Sequence, residues 1–70
     1  MNEKLKDIEK YVEKHETITM VPDLEVFIDI VKLSRWNKRI SNNSVYYGKW
    51  GDYFVKLSSN KILTISKQDF

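Results

Sequence analysis

Positively charged and aromatic side chains alternate along the second half of this chain. A basic segment surrounds Trp36, and further rings and lysines follow it. The members of this set are Lys32, Arg35, Trp36, Lys38, Arg39, Tyr47, Lys49, Phe54 and Lys56. Cations neutralise phosphates and flat rings stack on bases, while Trp, Tyr and Arg concentrate binding energy at protein interfaces. The pattern therefore indicates a binding surface.

Two kinds of partner suit this set, and the sequence leaves both open. A protein-binding module or inhibitor would use mainly the rings, anchored by Arg35, Trp36, Tyr47, Trp50 and Phe54. A nucleic-acid-binding protein would instead place cations on phosphates, namely Arg35, Lys38, Arg39, Lys49 and Lys56. We favour the protein partner, because two arginines are few for a dedicated nucleic-acid binder. A third interpretation is structural, with the rings covered by a helix of the same domain.

Groups that could support catalysis are scarce. The chain has no Cys and one His, so thiolate metal sites, disulfides and His-rich sites are excluded. No nucleophile is paired with His15, which the sequence predicts near the end of a helix. Glu25 and Asp29 are four residues apart, but two carboxylates without further ligands bind divalent cations poorly. We therefore predict a protein without enzymatic activity, cofactor or metal.

Two short motifs resemble functional signatures but have simpler explanations. The segment from Gly48 to Gly51 fits the GXXG pattern that clamps nucleic-acid backbone in KH domains. In KH domains that loop joins two helices, whereas strands are predicted on both sides of it here, so a hairpin turn is the better interpretation. Pro22 and Asp23 begin like a metal-dependent nuclease motif, but the later acidic residue and lysine at the required spacing are missing. Helix initiation explains them better.

The length and charge of the chain favour a protein that relies on contacts. Seventy residues form a single domain, 1–70, in which one hydrophobic core is barely sufficient for folding, so a partner or a second copy would add stability. Residues 1–31 carry a net charge of −4 and residues 32–70 carry +6. This asymmetry suits a charged partner or a homodimer.

The first half of the chain shows two helical patterns. Residues 2 to about 16 place Leu5, Ile8 and Val12 on one helical face, with Asn2 as a candidate cap. Residues 17–19 are β-branched, and residues 17–21 predict a short strand or an extended linker. A second helix is predicted from Pro22, with a polar stripe that continues to residue 36. The competing interpretation of residues 24–33 is a strand. The apolar positions of this segment are Leu24, Val26, Phe27, Ile28, Ile30, Val31 and Leu33.

The second half predicts three strands, over residues 45–50, 52–58 and 62–67, separated by turns at 51–52 and 59–61. Alternation along these strands predicts two faces. The core face collects Tyr46, Trp50, Tyr53, Val55, Leu57, Leu63 and Ile65. The opposite face collects Val45, Tyr47, Lys49, Phe54, Lys56, Ile62 and Thr64. The predicted fold is α+β, with two N-terminal helices followed by a three-stranded antiparallel β-meander.

The remaining predictions concern location and origin. The chain has no apolar run of the roughly 18 residues that a membrane span requires, and its first residues do not resemble a signal peptide. We therefore expect a cytoplasmic protein that does not bind membranes. Frequent Lys, Asn and Ile are typical of AT-rich coding sequences, as in low-GC bacteria and their phages. A phage or mobile-element protein is therefore one expectation.

Overall fold

The computed structural model describes residues 3–40 and 45–70, with the backbone alone for residues 38–40. The elements in chain order are α1 (Glu3–His15), β1 (Thr17–Met20), α2 (Leu24–Leu33), β2 (Arg35–Ile40), β3 (Tyr46–Trp50), β4 (Tyr53–Leu57) and β5 (Leu63–Ser66). The α+β class and the two helices are confirmed. The prediction of a three-stranded sheet was incomplete, because the described residues form a five-stranded antiparallel sheet in the order β1-β5-β4-β3-β2.

Helix α1 packs on the sheet through the predicted stripe. Leu5 and Val12 are fully buried and Ile8 is nearly so. The helix ends at His15, and the next residue, Glu16, has a φ of 67° in the left-handed region. The backbone oxygen of Glu16 then accepts a hydrogen bond of 2.9 Å from the backbone N–H of Lys67, so the end of the helix starts the pairing of β1 with β5. The predicted cap, Asn2, lies outside the described residues.

Residues 24–33 are helical, which resolves the choice between helix and strand. Asp23 caps α2, since its Oδ1 accepts a hydrogen bond of 2.9 Å from the backbone N–H of Val26. The prediction that the helical stripe continues to Trp36 was wrong. Ser34 adopts extended backbone with ψ of 147°, and Arg35 begins β2. Trp36 instead turns back and donates from Nε1 to the backbone oxygen of Val31 at 2.9 Å.

The two edge strands were the elements that the sequence did not define. Residues 17–20 form a strand and not a linker, because they pair with β5 from Thr17↔Ser66 to Met20↔Leu63. At the other edge, β2 pairs with β3 through Arg35↔Lys49 and Trp36↔Gly48, and its register then shifts before residue 40. Such irregular edges discourage further strand pairing. One edge strand, β1, is therefore held by a strand distant from it in the sequence. The other, β2, is held by a bulged pairing.

The central meander follows the predicted turns and faces. Trp50 pairs with Tyr53 across a two-residue turn, in which Gly51 has a φ of +59°. The second turn closes with a hydrogen bond of 3.0 Å from the N–H of Lys61 to the oxygen of Ser58, and Lys61 has a φ of 64°. The register keeps all the predicted core-face residues on one side.

Both helices pack on this one side of the sheet. The core contains three residues of α1, two of α2 and five of the sheet: Leu5, Ile8, Val12, Val26, Ile30, Trp50, Val55, Leu57, Leu63 and Ile65. The opposite side of the sheet, which we call the open face, has no helix over it in the described chain. No helix among the described residues is long and apolar enough to cross a membrane.

Candidate binding surface

The register of the sheet brings five of the predicted binding residues together on the open face. Arg35 pairs with Lys49, and Lys49 pairs with Phe54, so these three side chains form one row across β2, β3 and β4. Tyr47 pairs with Lys56 in the next row. Because cross-strand partners have Cβ atoms about 5 Å apart, the five side chains are neighbours. We call Arg35, Tyr47, Lys49, Phe54 and Lys56 the basic-aromatic face.

A sixth residue, Phe70, joins this surface from the segment that follows β5. Its ring centroid lies 6.1 Å from that of Tyr47, with the planes tilted by 58°. The Lys56 ammonium lies 5.5 Å from the centroid of Phe70, and the Lys49 ammonium lies 5.1 Å from that of Phe54. These distances are typical of cation–π contacts. Phe70 could not be placed from periodicity, because residues 67–70 belong to no helix or strand.

A shallow groove of about 350 Å³ crosses the basic-aromatic face. Its walls include Arg35, Tyr47, Lys49 and Phe54, together with residues of the segment after β5. Asp69 is the acidic residue among the described groove residues. The groove is therefore lined by more positive than negative side chains, together with several aromatic residues.

The described ion pairs leave the cations of this face unneutralised. Lys4 pairs with Asp23 at 2.6 Å and Lys67 pairs with Glu13 at 2.9 Å, both away from the open face. None of the ion pairs found among the described residues involves Arg35, Lys49 or Lys56. The face thus keeps its positive charge available for a negatively charged partner.

The two ion pairs on the helix side shift the ionisation of their carboxyl groups. Lys4 and the backbone N–H of Val26 both donate to Asp23 and hold the pKa of its carboxyl below the ordinary value. Glu13 accepts hydrogen bonds from Lys67 and from the Tyr53 hydroxyl, the latter at 3.0 Å, and the pKa of Glu13 is likewise lowered. Burial and this hydrogen bond raise the pKa of Tyr53. The contacts of Glu13 fasten α1 to β4 and to the segment after β5, whereas the Lys4–Asp23 pair joins α1 to the N-cap residue of α2.

The remaining predicted residues lie elsewhere. Trp50 is 4% exposed and belongs to the core, so it cannot contact a partner in this structure. Trp36 is half-buried on the helix side of the sheet, where its ring lies against Gly48. Lys38 and Arg39 are on β2, but their side chains lie outside the described part of the structure. The basic-aromatic face is accordingly smaller than the set of residues predicted from the sequence.

A row of hydroxyl groups continues the open face towards β1. Thr17 and Ser66 are hydrogen-bonded through their side-chain oxygens at 3.0 Å, and Thr19 and Thr64 at 3.3 Å. These pairs were not predicted, because they join residues that are 49 and 45 positions apart. The open face therefore has a neutral polar half on β1 and β5 and a charged aromatic half on β2, β3 and β4.

The structure does not support the other sites considered from the sequence, which are the GXXG segment, His15 and a metal site. Gly48 lies inside β3 and Gly51 lies in a hairpin turn, so the GXXG segment is no loop between helices. The ring of His15 packs against Tyr11 with centroids 4.2 Å apart. Within the described ranges 3–40 and 45–70, no three His, Cys, Asp or Glu side chains form a group that could hold a metal ion.

The open face thus combines accessible cations, rings and a shallow groove, a chemistry suited to contact with another molecule. Its rigidity comes from the sheet, which fixes the spacing of the side chains. Comparisons with protein-family models, curated proteins and solved structures gave no significant match to this chain.

Proposed function

We propose that this protein is a small non-enzymatic binding module or inhibitor that docks an acidic protein surface through its basic-aromatic face. The observation that supports this most is the position of the helices. Both pack on the opposite side of the sheet, so neither of them covers the rings and cations of the open face. A five-stranded sheet with an uncovered aromatic side has surface to offer a partner.

The composition of the face is suited to a protein partner. Tyr and Arg are enriched among the residues that dominate interface energetics, and the face contains one of each together with Phe54. Lys49 and Lys56 surround these rings with positive charge, which would speed encounter with an acidic surface and reject basic ones. The groove supplies a concave place for one side chain of the partner.

The basic-aromatic face is also rigid before a partner binds. The face is built on paired strands, and four of its five side chains already make ring–ring or cation–π contacts, so less conformational entropy is lost on binding. A partner would gain affinity because these residues are already in position. The bound protein would in turn stabilise a domain of only 70 residues.

Single-stranded nucleic acid is the second candidate, favoured by the juxtaposition of three cations and three rings. Bases bind by stacking on an open ring face while the backbone follows the cations. Two observations rank it below a protein. The Lys49 and Lys56 ammonium groups already lie over Phe54 and Phe70, and Tyr47 already packs against Phe70. A base would have to displace these contacts before it could stack.

The experiment compares two triple variants that each remove three positive charges. The test variant combines Arg35→Gln, Lys49→Gln and Lys56→Gln on the open face. The control variant combines Lys6→Gln, Lys10→Gln and Lys14→Gln, which are exposed on α1. Wild type and both variants are used to capture proteins from a nuclease-treated lysate of the source cells, with quantification by mass spectrometry. In parallel, each is titrated against a fluorescent oligothymidylate at low and high salt.

We expect wild type and the α1 variant to capture the same partner protein equally. The open-face variant should capture at least about tenfold less of it. We also expect no salt-dependent oligonucleotide binding. Oligonucleotide binding that weakens with salt and is lost only in the open-face variant would replace the proposal with the nucleic-acid candidate. Equal capture by both variants would show that the open face is not the contact surface.

A further inference from the structure

The outward side of α2 is apolar, which is unusual for a surface helix. Val26 and Ile30 are 2% and 1% exposed and supply the contact with the core. Leu24, Ile28 and Val31 recur on the other side of the helix at steps of four and three, and they are 70%, 41% and 38% exposed. A surface helix of a monomer normally places polar residues there. Helix α2 therefore has two apolar sides, and only one of them contacts the core.

This apolar surface extends beyond the helix. Val21, just before the helix, is 71% exposed, and Tyr46 on β3 is 40% exposed. Between α2 and β3 runs a groove of about 300 Å³ that is lined by Phe27, Val31, Trp36, Tyr46 and Leu57. We call the continuous surface formed by Val21, Leu24, Phe27, Ile28, Val31 and Tyr46 the α2 patch.

We propose that the occupant of the α2 patch is a second copy of this chain, related by a two-fold axis that pairs the two α2 helices antiparallel. The charges beside the patch argue for this occupant. Glu25 and Lys32 are exposed, seven residues apart, on the same flank of the helix. In an antiparallel pair this flank meets itself, so Glu25 of each copy lies near Lys32 of the other. The patch is thus complementary to itself in charge.

A parallel pair would lose this complementarity. Parallel helices bring opposite flanks together, so Glu25 and Lys32 would face the flank that carries Phe27 and the apolar groove. Burying charges against that groove without partners is unfavourable. Antiparallel pairing instead places the two grooves side by side on one edge of the interface and the two charge pairs on the other.

The size of the patch suits a weak dimer. A standard interface covers about 800 Å² of each partner, which is a modest share of the 5192 Å² exposed by the described chain. A helix of ten residues is about 15 Å long. A contact centred on one helix of this length is short, so the interface is small. We therefore expect association at micromolar rather than nanomolar concentration.

This inference does not rest on the proposed function, because α2 and the open face are on opposite sides of the sheet. The dimer would present two basic-aromatic faces pointing away from each other. Two contact sites on one particle would strengthen binding to any partner that is itself multivalent.

Sedimentation velocity over a concentration series of about 5 to about 500 µM tests the dimer. Wild type is compared with Ile28→Glu, at the centre of the patch, and with Tyr11→Glu, which places the same charge at a large, 55% exposed residue on α1, outside the patch. We expect Ile28→Glu to raise the dissociation constant at least about tenfold and Tyr11→Glu to leave it unchanged. Circular dichroism establishes that each variant is folded.

Charge reversal tests the antiparallel pairing itself. Glu25→Lys and Lys32→Glu should each weaken the dimer severalfold, because each places like charges together, and the double variant should restore wild-type association. A wild type that remains monomeric over the whole series would overturn the dimer. A dimer that Ile28→Glu leaves intact, or a double variant without rescue, would overturn this interface.

Discussion

The two faces of the sheet are made by the same strands but do different work. On β5, Leu63 is 1% exposed under the helices, while the next residue, Thr64, lies on the open face and bonds to Thr19. On β3, Trp50 is buried while Lys49, one residue earlier, lies over the ring of Phe54. One face is filled by aliphatic and aromatic side chains that exclude water, and the other exposes cations, rings and hydroxyls to water.

This difference follows from where the helices pack. Both helices of the described residues lie on one side of the five-stranded sheet. The uncovered side must be compatible with water, and lysines and threonines achieve this for the monomer. Contact with water does not account for the aromatic rings placed among these lysines and threonines. For that reason we connect the rings with binding.

The largest expected effect comes from replacing one aromatic residue on each face with alanine. Trp50→Ala should lower the free energy of unfolding by about 3–5 kcal/mol, since it removes a buried ring from the core. Phe54→Ala should lower it by only about 1 kcal/mol, because Phe54 is half-buried on the open face. Urea denaturation measures both. Equal losses would mean that the open face is a second core and not an accessible surface.

A second test concerns Gly48, where the helix side of the sheet has no space for an added side chain. A Cβ at Gly48 would lie 2.7 Å from the backbone oxygen of Arg35 and 2.9 Å from the ring of Trp36. Gly48→Ala should therefore destabilise the protein by about 1–3 kcal/mol through displacement of Trp36. Gly51→Ala is the control, with open space around it but a φ of +59°, and should cost about 1 kcal/mol. A harmless Gly48→Ala would contradict the close packing of Trp36.

The smallest effect concerns the ion pair between α1 and the sheet. Because the pKa of Glu13 is lowered in the folded state, its contribution to stability is present above the unfolded value of about 4.5 and is lost as the pH falls through the lower folded value. The difference in stability between wild type and Glu13→Gln should thus shrink as the pH falls below about 4.5. Thermal unfolding at several pH values measures it.

The control for this prediction is Glu9→Gln, one turn earlier on the same helix and without a hydrogen bond or ion pair among the described residues. Its stability difference from wild type should vary less with pH. If Glu13→Gln and Glu9→Gln show the same pH dependence, Glu13 does not gain from Lys67 and Tyr53 in solution.

The parts of the fold that were predictable are those determined by neighbours in the sequence. Helix α1 has its own apolar period, and the meander has local turns at residues 51–52 and 59–61. The edge strands lack such signals. Residues 17–20 become a strand only because β5 is beside them, and residues 35–40 resemble the continuation of α2 until Trp36 is placed over Gly48.

The same limit applies to the candidate surface. Alternation along β3 and β4 correctly groups Tyr47, Lys49, Phe54 and Lys56 on one side. The same alternation puts Trp50 on the core side, so choosing it as an anchor followed residue type instead of position. Arg35 and Trp36 could not be assigned to opposite sides of a sheet while they were taken as part of a helix. Phe70 had no pattern to place it.

The strand order has a consequence for the synthesis of this chain. β1 is made early but pairs with β5, which is the last strand, and Thr17 meets Ser66 across 49 residues. While a ribosome is still translating residues 35–60, β1 has α1 beside it but no strand to pair with, and α1 has only part of the surface that buries Leu5 and Val12. The N-terminal third must therefore wait for the C-terminal strand, so this domain completes its fold only after synthesis of β5 and not progressively along the chain.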